Sequence, residues 1–153
     1  MAAGFMLDAA RVPEFHAFLE SRLGGAADLP AADDLAVEGS LSVPGATLDL
    51  AETLARLAPF RQGNEEPVLI LPRVRVVRAD KVGREGTSVR SFIEGEGGGP
   101  RLKAMLFRPR EPALAEALLN GAGAPLHLAG YLRAETWNGR TTLGFTVIDA
   151  APA

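Results

Sequence analysis

From residue 67 to the C-terminus the sequence breaks into short runs of alternating apolar and polar residues, separated by glycine- and proline-rich turns. One helical stretch interrupts them after the third run. This punctuation constrains the fold most, because an alternating run of about five residues can bury its apolar face only against other strands or a helix. Strand signals run over about 68–82, with Pro72 marking a break or bend near the start, and a turn at 83–86 leads to a strand at 87–94. Gly95-Glu96-Gly97-Gly98-Gly99-Pro100 reads as a hairpin and 101–107 as a third strand. Pro112 opens a helix with Leu114, Ala115, Leu118 and Leu119 on one face, closed by Gly121. Strands at 126–134 and 141–149 follow, joined through Trp137-Asn138-Gly139-Arg140, whose Asn-Gly is a strong two-residue hairpin signal. Strand, strand, strand, helix, strand, strand is the order of an OB-fold, a five-stranded Greek-key barrel. The predicted class is mainly β with helices (α+β), the barrel preceded by a short helical segment.

Upstream, the apolar run Phe5-Met6-Leu7 precedes Asp8, a helix cap, and Val12, Phe15, Phe18, Leu19 and Leu23 recur at helical spacing. The spacing predicts one amphipathic helix over about 9–23, with Gly24-Gly25 as its stop. Residues 24–34 read as a linker. From Leu35 the pattern alternates, with Leu35, Val37, Gly39 and Leu41 on one side and Glu38 and Ser40 on the other, which predicts a strand. Thr47 caps a second helix with Leu48, Ala51, Leu54, Ala55 and Leu57 on its buried face, ended by Pro59. A polar loop over 61–67 leads to the barrel. The predicted boundaries are 1–25, a strand–helix lead-in at 26–66, and the barrel at 67–153.

The 153 residues contain no Cys and two His, which excludes a disulfide framework, a zinc ribbon, a thiol nucleophile and a multi-His metal site. Apolar runs are only a few residues long, so no membrane span is expected, and the start lacks the basic region of a signal peptide. A soluble cytoplasmic protein is the expectation. The net charge of −3 is unevenly spread. Residues 1–60 hold three basic residues against nine acidic ones, a balance of −6, and residues 61–153 hold thirteen against ten, a balance of +3. A basic barrel fits either an anionic partner or ordinary surface variation.

Alternation assigns faces. In the second barrel strand Val89, Ser91 and Ile93 share the side expected to line the interior, which turns Arg90 and Phe92 outward unless a bulge swings Phe92 into the core. In the third strand Arg101 and Lys103 oppose Leu102, Ala104 and Leu106. OB-folds bind ligands across strands two and three, flanked by the loops joining strands one–two and four–five. Those loops contain Lys81 and Arg84, and Trp137 and Arg140; Arg75 on the first strand completes the candidate set. Cations that track phosphates beside flat π-faces on which bases stack are what single-stranded nucleic acid needs. The competing reading makes Trp137 a packing lid and the arginines solvated surface. Catalysis has little support: no P-loop, Rossmann or G-x-S-x-G motif occurs, Asp33-Asp34 sit in the linker, and Glu65-Glu66 lack a third ligand nearby. His16 and His127 read as surface residues, so no catalytic and no metal-ligating residue is assigned.

Several stretches resemble, in order, the C-terminal region of the RecJ family, single-strand-specific DNA exonucleases of the DHH class. Met1-Ala2-Ala3-Gly4-Phe5 looks like the end of the Gly-Gly-His-x-x-Ala-Ala-Gly motif of a DHHA1 domain, and the helix from Phe15 to Leu23 like the one that follows it. Pro59-Phe60-Arg61-Gln62-Gly63-Asn64-Glu65-Glu66-Pro67 resembles the family's Pro-Phe-Gly-x-Gly-Asn-Pro-Glu-Pro segment, with Arg61 in place of Gly and Glu65 in place of Pro. Residues 102–107 resemble its third barrel strand, and Leu128-Ala129-Gly130-Tyr131-Leu132 with Trp137-Asn138-Gly139-Arg140 its last hairpin; Ser88 stands where many members have His. The resemblance implies that residues 1–25 are the tail of a DHHA1 domain and that Met1 is internal to a longer chain. It implies a parent 5′→3′ exonuclease of DNA repair and recombination that uses Mn or Mg, with the metal-holding motifs outside this sequence and no cofactor held within it. The implied partners are single-stranded DNA, the parent's catalytic domains and single-strand-binding protein. The alternative is a docking module that does not touch nucleic acid.

Overall fold

The computed structural model of the chain describes residues 6–23, 35–121 and 124–153. The chain divides into two compact units, Met1–Leu35 and Ala36–Ala153. In the first, Asp8 caps a 3₁₀ turn, Ala9–Arg11, by accepting from the Ala10 N–H at 2.9 Å, and α1 follows at Val12–Leu23. Val12 and Phe18 on α1 are exposed. The Gly24-Gly25 stop, the 24–34 linker with Asp33-Asp34, and the Met1–Phe5 motif lie outside the described residues.

The second unit begins with β1, only Gly39–Ser40, paired parallel to Leu69 and Ile70. The expected strand from Leu35 is thus cut to two residues. Backbone bonds from the Glu38 N–H to Val68 O and from the Leu41 N–H to Ile70 O close the ladder, and Leu35 and Val37 stay exposed. Thr47 caps α2, Leu48–Ala55, by accepting from the Leu50 N–H at 3.2 Å. Ala51 is buried, whereas Leu57, expected on the buried face, lies beyond the helix end and is exposed.

The barrel strands are β2 (Leu69–Val82), β3 (Ser88–Gly95), β4 (Leu102–Leu106), β5 (Leu126–Trp137) and β6 (Arg140–Pro152), with α3 (Pro112–Asn120) between β4 and β5. They pair in the order β2-β3-β4-β6-β5, and β5 returns to β2, which closes the sheet. β4 and β6 run parallel and the other barrel pairs antiparallel, so the barrel is an OB-fold. β2 serves two partners because it bends. Leu69–Leu71 pair with β5, the register slips at Pro72-Arg73, Val74 pairs with both β5 and β3, and β3 is the partner beyond it. A second slip leaves Val77 as an extra residue between the Val76–Ile93 and Arg78–Phe92 pairs. Val74, Val89, Ile93, Leu106, Leu128 and Phe145 fill the interior. Ser91 is buried with them and donates to Ala104 O at 3.4 Å. The turn residues Asn138 and Gly139 both have positive φ (48° and 75°), the type I′ geometry that keeps β5 and β6 paired out to Trp137 and Arg140.

Candidate nucleic-acid interface

The cross-strand registers set side chains of five strands in rows on the outside of the barrel. One row runs Arg78, Phe92, Lys103, Gly144, Arg133, and the next Asp80, Arg90, Met105, Thr146, Tyr131. Facing side chains in neighbouring strands lie about 5 Å apart, so each row forms a continuous surface. Phe92 points outward and is half-buried, because the bulge falls at Val77 on the opposite strand. The 83–87 turn and the Asn138-Gly139 turn lie at opposite ends of these strands, so the rows run between them. Trp137 and Arg140 share the outward side with Arg133 and Glu135. Trp137 is 80% exposed, which removes the reading of it as a packing lid.

Carboxylates hold the cations of this face. Arg78 donates through Nε and Nη2 to Asp80 at 2.9 and 3.3 Å, and Arg90 Nη2 reaches the same Oδ2 at 3.5 Å. The Arg78 hydrogen bonds hold the Asp80 carboxyl below the usual aspartate range against the opposing effect of lost solvent, and Arg90 adds to the effect. Arg90 Nε is buried without a hydrogen-bond partner. Lys103 Nζ donates to Glu135 Oε2 at 2.5 Å. Gly144 permits that contact: a Cβ there would come within 3.0 Å of Glu135 Oε1. Arg133 forks onto Glu66, its Nε 2.7 Å from Oε1, and its guanidinium stacks 5.0 Å from the Tyr131 ring centre. The hydrogen bonds that Arg133 donates to Glu66 raise its pKa above its already high value. This pair ties the 61–67 loop to β5 at the mouth of an apolar cavity of about 300 Å³ lined by Ala51, Leu54, Phe60, Pro67 and Leu132.

The other residues singled out from sequence are placed as follows. Arg75 faces outward opposite Glu94, whose carboxylate meets Arg101 at 3.8 Å just before β4. Arg84 is exposed in the 83–87 turn. Lys81 lies inside β2 rather than in the loop, opposite Val89, so its direction is that of the barrel interior at an open end. Lys81, Arg84 and Arg140 make no ion pair among the described residues. The rows also contain Arg78, Tyr131 and Arg133, which the sequence does not single out. Alternation with the buried Leu132 carries the signal for the latter two; for Arg78 the bulge hides it. His127, expected at the surface, is half-buried, and its Nδ1 accepts from the Arg73 N–H at 3.3 Å where β2 bends. Among the described residues no three His, Asp or Glu side chains gather to hold a metal ion, and no helix is long and apolar enough to cross a membrane.

A family model described as the RecJ OB domain matches residues 37–149. Two solved structures of RecJ from Thermus thermophilus, one in complex with Mn2+ and one with Mg2+, share the fold at 24% sequence identity, with TM-scores of 0.67 and 0.65. Each match covers 98% of this chain but only 20% and 21% of the RecJ chains, so this chain spans about one fifth of their length. No curated protein sequence matches it significantly. With the closed barrel, its inserted helix and the family match over most of its length, the chain belongs to the RecJ OB-domain family.

Proposed function

We propose that this chain is the single-stranded-DNA-gripping module of a RecJ-like 5′→3′ exonuclease of DNA repair and recombination, acting in the cytoplasm beside catalytic DHH domains that lie elsewhere in the parent protein. The observation that carries the reading is the row Arg78–Phe92–Lys103–Gly144–Arg133, in which cations flank an outward aromatic between the two end turns. Phosphates follow the cations while bases stack on Phe92 and on the exposed Trp137, a sequence-tolerant mode. Duplex DNA presents stacked, paired bases that cannot use those rings, so the face favours a single strand. The module then presents the strand to the catalytic domains, and single-strand-binding protein hands it over.

Fluorescence anisotropy of a labelled single-stranded oligonucleotide at two salt concentrations, with a duplex control, tests this. Salt-sensitive binding that prefers the single strand is expected. No binding at low salt would sink the reading and leave the docking role, which the exposed Val12 and Phe18 on α1 favour.

A further inference from the structure

We propose that the carboxylates of Asp80 and Glu135 occupy two phosphate seats on the outer face, as tethered counterions that a bound strand displaces. The inference rests on the single-strand-binding reading above. The Asp80 seat is formed by two guanidinium groups from adjacent strands converging on one carboxylate, the Arg78 fork at 2.9 and 3.3 Å and Arg90 at 3.5 Å. Two positive charges there face one negative charge, and Arg90 Nε remains buried and unpaired. An anion with more acceptor oxygens than a carboxylate fits that surplus, and a guanidinium fork matches a phosphate as it does a carboxylate.

At the second seat, Glu135 lies flat over bare backbone. Lys103 holds its Oε2 at 2.5 Å, and the absence of a side chain at Gly144 leaves room for it, since a Cβ would stand 3.0–3.1 Å from Oε1 and Cδ. Arg133 follows Gly144 in the row, so this seat too has a cation on either side. Phe92 stands in register between the two seats, one strand from Arg78 and one from Lys103. With strands about 4.8 Å apart, the seats are on the order of 10–15 Å from each other, with an aromatic platform between. One base can stack on Phe92 while phosphates before and after it take the places of the two carboxylates. Glu66 differs: it is mostly enclosed and anchors the 61–67 loop through Arg133.

A tethered carboxylate competes with every incoming phosphate and replaces salt ions that binding would otherwise release. Removing it therefore strengthens binding and steepens its salt dependence. Asp80→Asn and Glu135→Gln keep the side-chain shape and remove the charge. Each is expected to tighten binding of a labelled oligothymidylate about 3- to 10-fold at low salt and to steepen the salt dependence, since salt anions then occupy the seat and are released by the strand. Asp80→Glu retains the charge and is expected to tighten binding less than Asp80→Asn does. Circular dichroism melts of each variant establish that the fold is intact. Wild-type binding with Asp80→Asn and Glu135→Gln no tighter would overturn the seats while sparing the single-strand reading. No binding by wild type or by the double variant at low salt would instead remove the reading on which the seats rest.

Discussion

Trp137 is the sharpest test of the binding face because the fold does not need it. The residue is 80% exposed at the edge of a two-residue turn whose geometry Asn138 and Gly139 supply. Trp137→Ala removes little packed surface, so the stability change should stay within about 0.5 kcal/mol, the range of surface substitutions. A base stacked on an aromatic ring contributes about 1–3 kcal/mol by alanine substitution. At 1.4 kcal/mol per tenfold, that loss weakens the Kd roughly 5- to 150-fold. Anisotropy titration with a labelled single-stranded oligonucleotide reads the affinity, and a thermal melt followed by circular dichroism reads the stability. Trp137→Phe keeps a π-face and should recover part of the loss. The salt slope should not move, since no phosphate contact is removed. A Kd unchanged in Trp137→Ala would refute the stacking role. A melting temperature that falls by many degrees would refute the argument from exposure.

Phe145→Ala hollows the barrel at a fully enclosed ring and should cost about 3–5 kcal/mol, read as a lower urea midpoint. Gly130→Ala forces a Cβ to 2.0 Å from the Thr146 carbonyl oxygen across the β5–β6 ladder, and since backbone cannot step aside as a side-chain tip can, a loss of about 1–3 kcal/mol or more is expected in the same assay. A wild-type midpoint in either variant would contradict the closed barrel. The Arg73 hydrogen bonds hold the Glu96 carboxyl below the usual glutamate range, as Arg78 does for Asp80. Because the folded values are the depressed ones, these groups contribute stability in full above the ordinary carboxylate pKa of about 4 and lose it as pH falls through the lowered values. Glu96→Gln should therefore flatten the acid side of a stability–pH curve and leave its neutral side parallel to wild type. An unchanged acid limb would dismiss the linkage.

The element order was legible because glycine and proline mark each boundary: Pro72 at the bend, Gly83 and Gly86 in the first turn, Pro112 at the start of α3 and Gly139 in the last hairpin. Lengths were less so. β5 and β6 extend to Trp137 and Arg140, beyond the expected 134 and 141, because the type I′ turn keeps pairing alive through Thr136 and Thr141, whose hydroxyls meet at 2.9 Å. These are polar residues on a ribbon beyond the core, where apolar alternation has nothing to report. β1 shrank for the opposite reason. Leu35 and Val37 alternate as a buried strand would, yet the first residues of β2 offer a partner only to Glu38 through Leu41.

The face itself was legible only where no bulge intervenes. In β3 and β4, strict alternation placed Val89, Ser91, Ile93, Leu102, Ala104 and Leu106 inside, so Arg90, Phe92 and Lys103 came out on the correct side. In β2 the same counting from Arg75 sends Lys81 outward and Arg78 inward. The extra residue at Val77 reverses both, because one unpaired residue inverts the parity of everything after it. That inversion sets Arg78 and Asp80 beside Arg90 and Phe92, so the fork on Asp80 lies on this face, within reach of Arg90, because of the bulge. Residue type does not announce it: Val76, Val77 and Arg78 read as an ordinary strand, and only the fixed register of β3 opposite reveals the slip. Deleting Val77 should therefore remove the bulge and keep the face, because Val76 and Arg78 become neighbours in strict alternation and Arg78 still falls opposite Phe92. A deletion variant shown by its melt to be folded is expected to keep single-strand affinity close to wild type in anisotropy. A folded deletion variant that no longer binds would show that the bend at Val77, and not only the register after it, positions the face.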